Sequence, residues 1–331
     1  MKITVFVIGY KNHAFRIIST LSKNRELGKI IVYHPDINNC VLPEMADNVL
    51  LTDDFKLFRT AKCVFIASPS VTHYYYLKKI HDEFEDLTDI PYIYCEKPIV
   101  TSQLEVDWLS ENIESFKNRL MCGYNLKFSN FSVKAGELIN DNSFGKPVFA
   151  NFQVTHGLAF KKEIGLNWRF SSEDIFSSII GNLGVHYVNL SIHLFGDIIR
   201  SNLNLGNFAN HQNEDTAIIT MEHSSGVLST IVLSYASIFS KRFELFFTDG
   251  LITGNSEGLF CKYPRDTFDS SGEFISPPEK LITEESDKRD GTLEKSLEYF
   301  LKYAVLNLDF DRENLKQAKD TTLAILRLKK I

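Results

Sequence analysis

The chain has 331 residues and a net charge of −6, with 44% hydrophobic and 24% charged residues. That length suffices for two globular domains, and an acidic balance with scattered Lys and Arg excludes the basic footprint of a nucleic-acid binder. No stretch approaches ~20 apolar residues, so no membrane span is expected. The five cysteines (Cys40, Cys63, Cys95, Cys122, Cys261) show neither metal-ligand spacing nor a disulfide framework. This predicts no metal site and a reducing, cytoplasmic setting.

Up to residue 124, short apolar runs alternate with helical patterns. Strands are expected at 3–8, 30–33, 49–51, 63–67, 92–94 and 120–123, with helical segments at 73–84 and 103–116 between them. Such alternation predicts βαβ units and a parallel, doubly wound sheet. After residue 131 the rhythm changes. A helix at 132–139 leads into a strand at 148–155, and a helix at 179–195 precedes strand-like runs at 198–205, 216–222, 227–234 and 243–247. Strands in series predict an antiparallel or mixed sheet. The polar stretch 262–290, with Pro277-Pro278, reads as a long surface loop, and helical patterns return at 292–305 and 312–329. The predicted class is α/β: a parallel-sheet domain over 1–124 and an α+β domain with a large open sheet over 125–331.

Cys95-Glu96-Lys97-Pro98 stands out for chemistry. It follows the buried-strand pattern Tyr92-Ile93-Tyr94, and an ionisable pair there is costly to bury unless paired or used. Ligands of open α/β sheets bind outside the carboxyl ends of the strands. Lys97 is therefore a candidate proton donor or acceptor, or one half of a loop ion pair. After the first strand the chain reads Gly9-Tyr10-Lys11-Asn12-His13-Ala14. A dinucleotide fingerprint has glycine first, glycine in the middle, and glycine or alanine third. Here Lys11 holds the middle place, either obstructing a pyrophosphate or swinging outward to offer it a charge. Where an acidic residue normally ends the second strand to take ribose hydroxyls, the chain has His34, which removes the repulsion against a 2′-phosphate. The turn Ala67-Ser68-Pro69-Ser70-Val71-Thr72-His73 opens a helix whose amides favour a polar ligand or are simply capped.

Together with Gly123-Tyr124-Asn125-Leu126-Lys127-Phe128, Trp168-Arg169 and Gly184-Val185-His186, these motifs resemble, in order, the glucose-fructose oxidoreductase/inositol dehydrogenase/MocA (Gfo/Idh/MocA) family of NAD(P)-dependent oxidoreductases. The resemblance implies a Rossmann domain that binds NAD or NADP through Gly9, Tyr10, Lys11, Asn12, His13, His34, Ser68, Pro69, His73, Glu96 and Lys97. It implies a sugar, nucleotide-sugar or polyol substrate against Tyr124, Asn125, Trp168 and Arg169, with Lys97 and His186 around the reacting hydroxyl. It also implies a homodimer or homotetramer built through the second domain's sheet. The family carries an aspartate four residues before the histidine, where this chain has Asn182, and a second acidic position is Asn189. Asn182, His186, Asn189 and His193 are spaced to share one helix face. The altered motifs leave an alternative open: a relative with weakened catalysis that serves as a ligand-binding or assembly protein. A lyase or epimerase that holds its cofactor tightly uses the same residues.

Overall fold

The computed structural model describes residues 2–11, 13–37, 46–84, 90–161, 175–210, 213–265, 267–284 and 291–328. They form two units, Met1–Tyr124 with Leu293–Thr322, and Asn125–Thr292 with Leu323–Ile331.

In the first unit, strands β1 (Ile3–Ile8), β2 (Leu27–Tyr33), β3 (Val49–Thr52), β4 (Cys63–Ile66), β5 (Tyr92–Cys95) and β6 (Leu120–Cys122) form one sheet in the order β3-β2-β1-β4-β5-β6. Every pairing is parallel. This is the expected Rossmann-like sheet. The buried runs of β1, β4 and β5 fit strands covered on both faces. Helices α1 (His13–Ser22), α2 (His73–Asp82) and α3 (Gln103–Asn112) connect them. The strand order reverses between β1 and β4, which makes their carboxyl ends the topological switch point. The turns after these two strands touch there. Gly9 has φ +111°, and a Cβ at that position would lie 2.8 Å from the Ala67 carbonyl oxygen, so only glycine fits without a shift.

The second unit begins with α4 (Asn130–Asp141), then β7 (Pro147–Thr155) and α5 (Val185–Phe195). Next come β8 (Ile198–Gly206), β9 (Thr216–His223), β10 (Leu228–Ser234), β11 (Ser240–Phe247), β12 (Leu251–Gly254), β13 (Leu259–Lys262) and β14 (Glu279–Thr283). They form one sheet in the order β14-β13-β12-β11-β7-β10-β9-β8. Only β7 and β10 run parallel; the other pairs are antiparallel. Burial alternates along β9 and β10, so one face is covered and the other is open. The covered face centres on Phe131, Phe152, Tyr187 and Phe243, whose ring centroids lie 5.6–6.2 Å apart.

Two expectations need correction. The stretch 262–290 is not all loop: β14 pairs with β13, although exposed positions along β14 give an edge strand little apolar signal. The last helices, α6 (Gly291–Leu306) and α7 (Arg312–Leu326), were expected with the second domain, yet residues 293–322 pack with the first sheet. Phe300 lies 5.1 Å from Phe65 and 5.5 Å from Tyr94, and Phe310 lies 5.9 Å from Tyr92. Ser296 Oγ meets the Tyr94 hydroxyl at 3.2 Å, and Asn314 Oδ1 accepts the Cys122 amide at 2.9 Å. The aromatic strand β5 needs cover, and these helices supply it.

Candidate active site

The turn after β1 lies at the switch point. Gly9 donates its amide to the Tyr33 carbonyl at 3.0 Å, joining the turn to the end of β2. Tyr10 is buried and meets the His34 ring edge-on at 4.9 Å. Lys11 is exposed, and its Nζ lies 5.3 Å from the Tyr10 ring centroid. Its side chain therefore swings toward Tyr10, which is the outward alternative. His13 opens α1, whose first turn holds no acidic residue. Asn12 lies outside the described residues.

Glu96 closes β5 and is only 7% exposed. His13 Nε2 lies 2.8 Å from Glu96 Oε1, close but not in the alignment of a linear hydrogen bond, so the attraction is chiefly electrostatic. Arg16 Nη1 lies 3.3 Å from His13 Nδ1. A guanidinium can only donate, so Nδ1 accepts and the ring proton faces the carboxylate. Glu96 Oε2 accepts the Lys97 amide at 3.3 Å. Burial pushes the Glu96 carboxyl up, but His13, Lys97 and His73 outweigh it and hold the group below its usual range. Glu96 thus fixes the backbone from which Lys97, half-buried, projects.

His73 does not offer its ring to a ligand. It is 1% exposed, with Nδ1 at 2.7 Å from the Pro98 carbonyl and Nε2 at 2.9 Å from the Ser68 carbonyl. It ties the turn after β4 to the turn that carries Lys97, while Ser68 and Pro69 remain on the more open side. Thr72 Oγ1 donates to Ser68 Oγ at 2.7 Å and reinforces the same turn. Tyr124 ends the first unit as a buried residue, and burial pushes its hydroxyl well up, so the phenol stays protonated.

In the second unit, Asn125 starts a short helical turn, Asn125–Phe128, that packs against α5. Asn182 lies in a π-helical turn, Ile180–Gly184, that runs directly into α5. Gly181 permits this turn, because a Cβ there would meet the Phe176 backbone at 2.2 Å. The wide turn spoils the simple four-residue spacing. Asn182 thus leaves the regular spacing, while His186, Asn189 and His193 keep theirs along α5, where His186 is half-buried, Asn189 buried and His193 exposed. Asn182 Nδ2 donates to the Tyr235 hydroxyl at 2.6 Å. Tyr235 stacks at 5.0 Å on His156, and its amide donates to the Asp215 carbonyl at 2.7 Å. Sequence reasoning missed Tyr235. Its place at the end of an alternating strand, after Ser234, was the available signal. Trp168 and Arg169 lie outside the described residues. Among the described residues, no group of three or more His, Cys, Asp or Glu side chains is placed to hold a metal ion, and no helix is long and apolar enough to cross a membrane.

Residues 132–253 match the model of the GFO/IDH/MocA C-terminal domain. Over that stretch the chain is similar to the GFO/IDH/MocA family. The chain is 27% identical over 148 residues to a D-apiose dehydrogenase from Paraburkholderia graminis, a match spanning 43% of this chain and 37% of that relative. The chain therefore matches little more than a third of that curated relative's length. Among solved structures, a myo-inositol dehydrogenase from Corynebacterium glutamicum superposes with a TM-score of 0.75 at 15% identity, covering 98% of this chain and 95% of the other. A levoglucosan dehydrogenase in complex with NADH gives 0.77 at 14% identity, covering 99% and 96%. At such identities these two likenesses speak for the fold.

Proposed function

We propose that this chain is a GFO/IDH/MocA-type, NAD(P)-dependent oxidoreductase that oxidises a hydroxyl of a sugar, nucleotide sugar or related polyol. The observation that carries the reading is Lys97, held just past the carboxyl end of β5, the strand beside β4, by the buried Glu96. The apiose, inositol and levoglucosan dehydrogenases among its relatives favour the substrate class. The first unit fits a dinucleotide. Gly9 leaves the turn after β1 bare of a side chain, Lys11 swings off it, and the start of α1 holds no acid to repel a pyrophosphate. We assign Gly9, Tyr10, Lys11, His13, His34, Ser68 and Pro69 to that cofactor, and the second unit to substrate and to self-association through the open sheet face.

A bound nicotinamide supplies the hydride acceptor. The chain's own residues handle the proton. As the carbon gives up its hydride, the hydroxyl proton passes to the Lys97 amine, and the products are a carbonyl compound and an ammonium. His186 is the second candidate base. Asn182, the residue four back, is an amide engaged with Tyr235, so we assign His186 the lesser share. The test is turnover with a panel of sugars and nucleotide sugars in wild type and Lys97→Ala. The expected loss is ~10²–10⁴-fold in kcat, the usual range for a general acid–base group, with dinucleotide affinity retained. Full turnover in Lys97→Ala overturns the assignment.

A further inference from the structure

The end of β2 bears on which dinucleotide the first unit takes. In this kind of fold an acidic side chain at that place accepts the two ribose hydroxyls of NAD, and a cation nearby accommodates the 2′-phosphate of NADP. Here the place belongs to His34. Its Nδ1 accepts the Asp36 amide at 3.1 Å, so the ring carries its proton on Nε2 and is a donor there. The edge-on contact with buried Tyr10, at 4.9 Å, fixes the plane of the ring. Lys11 lies across the same tyrosine, its Nζ 5.3 Å from the ring centroid, and its charge reaches His34, as does the opposite charge of Asp36. An N–H donor and an ammonium thus gather where NAD-specific chains place a carboxylate. Asp36 belongs to the solvent side of a turn closed by the Ile37 amide on the His34 carbonyl at 3.2 Å. It lies beyond the strand end rather than at it.

We infer that this chain selects NADP(H) over NAD(H), with the adenosine 2′-phosphate taken by His34 Nε2 and the Lys11 ammonium. The inference rests on the dinucleotide reading above and deepens it. A phosphate oxygen gains charge-assisted hydrogen bonds from both groups, whereas an unphosphorylated ribose finds no carboxylate to accept its hydroxyls at the strand end.

Binding titrations of the full chain test this without turnover. NADPH and NADH are compared by fluorescence or calorimetry, alongside 2′,5′-ADP and 5′-AMP as probes that lack nicotinamide. NADPH is expected to bind tighter than NADH by roughly ten- to hundredfold, the worth of one good charge-assisted contact. 2′,5′-ADP should exceed 5′-AMP in the same sense, and both preferences should shrink as salt rises. Lys11→Ala should weaken NADPH and spare NADH. His34→Asp should reverse the order, and if that variant fails to fold, the wild-type comparison decides alone. Equal or tighter binding of NADH and 5′-AMP overturns the selectivity but leaves the oxidoreductase reading standing. No binding of either dinucleotide overturns both.

Discussion

His13 and Glu96 face each other at 2.8 Å, one from the first turn of α1 and the other from the end of β5. The contact joins the turn after β1 to the turn that carries Lys97. Glu96 is held below its ordinary range, so its contribution to stability is fully present above ~4.3, the unfolded value, and is lost as pH falls through the lower folded value. Glu96→Gln should cost about 1–3 kcal/mol at pH 7, and the gap from wild type should narrow below pH ~4. Urea unfolding at both pH values reads it. A constant gap would show that the carboxylate charge is not what matters.

Two buried histidines set an acid limit of the opposite origin. Burial pushes His73 down, against the pull of the Pro98 and Ser68 carbonyls and Glu96. Burial also pushes His223 down, against the Gly196 carbonyl. For a depressed histidine the unfolded chain takes up the proton first, so stability is full above ~6.5 and drains as pH falls toward the folded values. Thermal melts should therefore fall between pH 7 and 5.5, and His223→Gln should flatten part of that slope. Melting temperatures independent of pH across this window would refute it.

The Asn182–Tyr235 bond predicts a coupling. Tyr235→Phe removes the acceptor of a half-buried amide and should cost about 1–3 kcal/mol. In a double-mutant cycle with Asn182→Ala, the two losses should fall short of additivity. Strict additivity would mean that the pair does not interact. Asn182→Asp should be tolerated, because the tyrosine hydroxyl turns to donate to the new carboxylate.

Phe300 tests the role of the last helices. It is fully buried against Phe65 and Tyr94. Phe300→Ala should destabilise by about 3–5 kcal/mol, the cost of a large core cavity. In hydrogen exchange, β4 and β5 should lose protection before β9 and β10. Equal loss in both sheets would contradict the assignment of α6 to the first unit.

Local periodicity was enough for the parallel sheet and the mainly antiparallel sheet, because period-two and helical patterns are written in neighbouring residues. The motif set offered Gly9, Lys97 and His186 as candidates by position. Partners far apart in sequence needed the folded chain. Nothing near Phe300 says that it covers β5, nothing near His73 says that both its ring nitrogens reach main-chain carbonyls, and nothing near Asn182 names Tyr235. The π-turn before α5 shows the same limit at short range. A four-residue spacing predicts one helix face only if the helix is regular, and regularity there depends on how Gly181 packs on Phe176. Spacing along the chain sets which groups are available. Which groups meet depends on packing between distant segments, and that is a property of the tertiary fold.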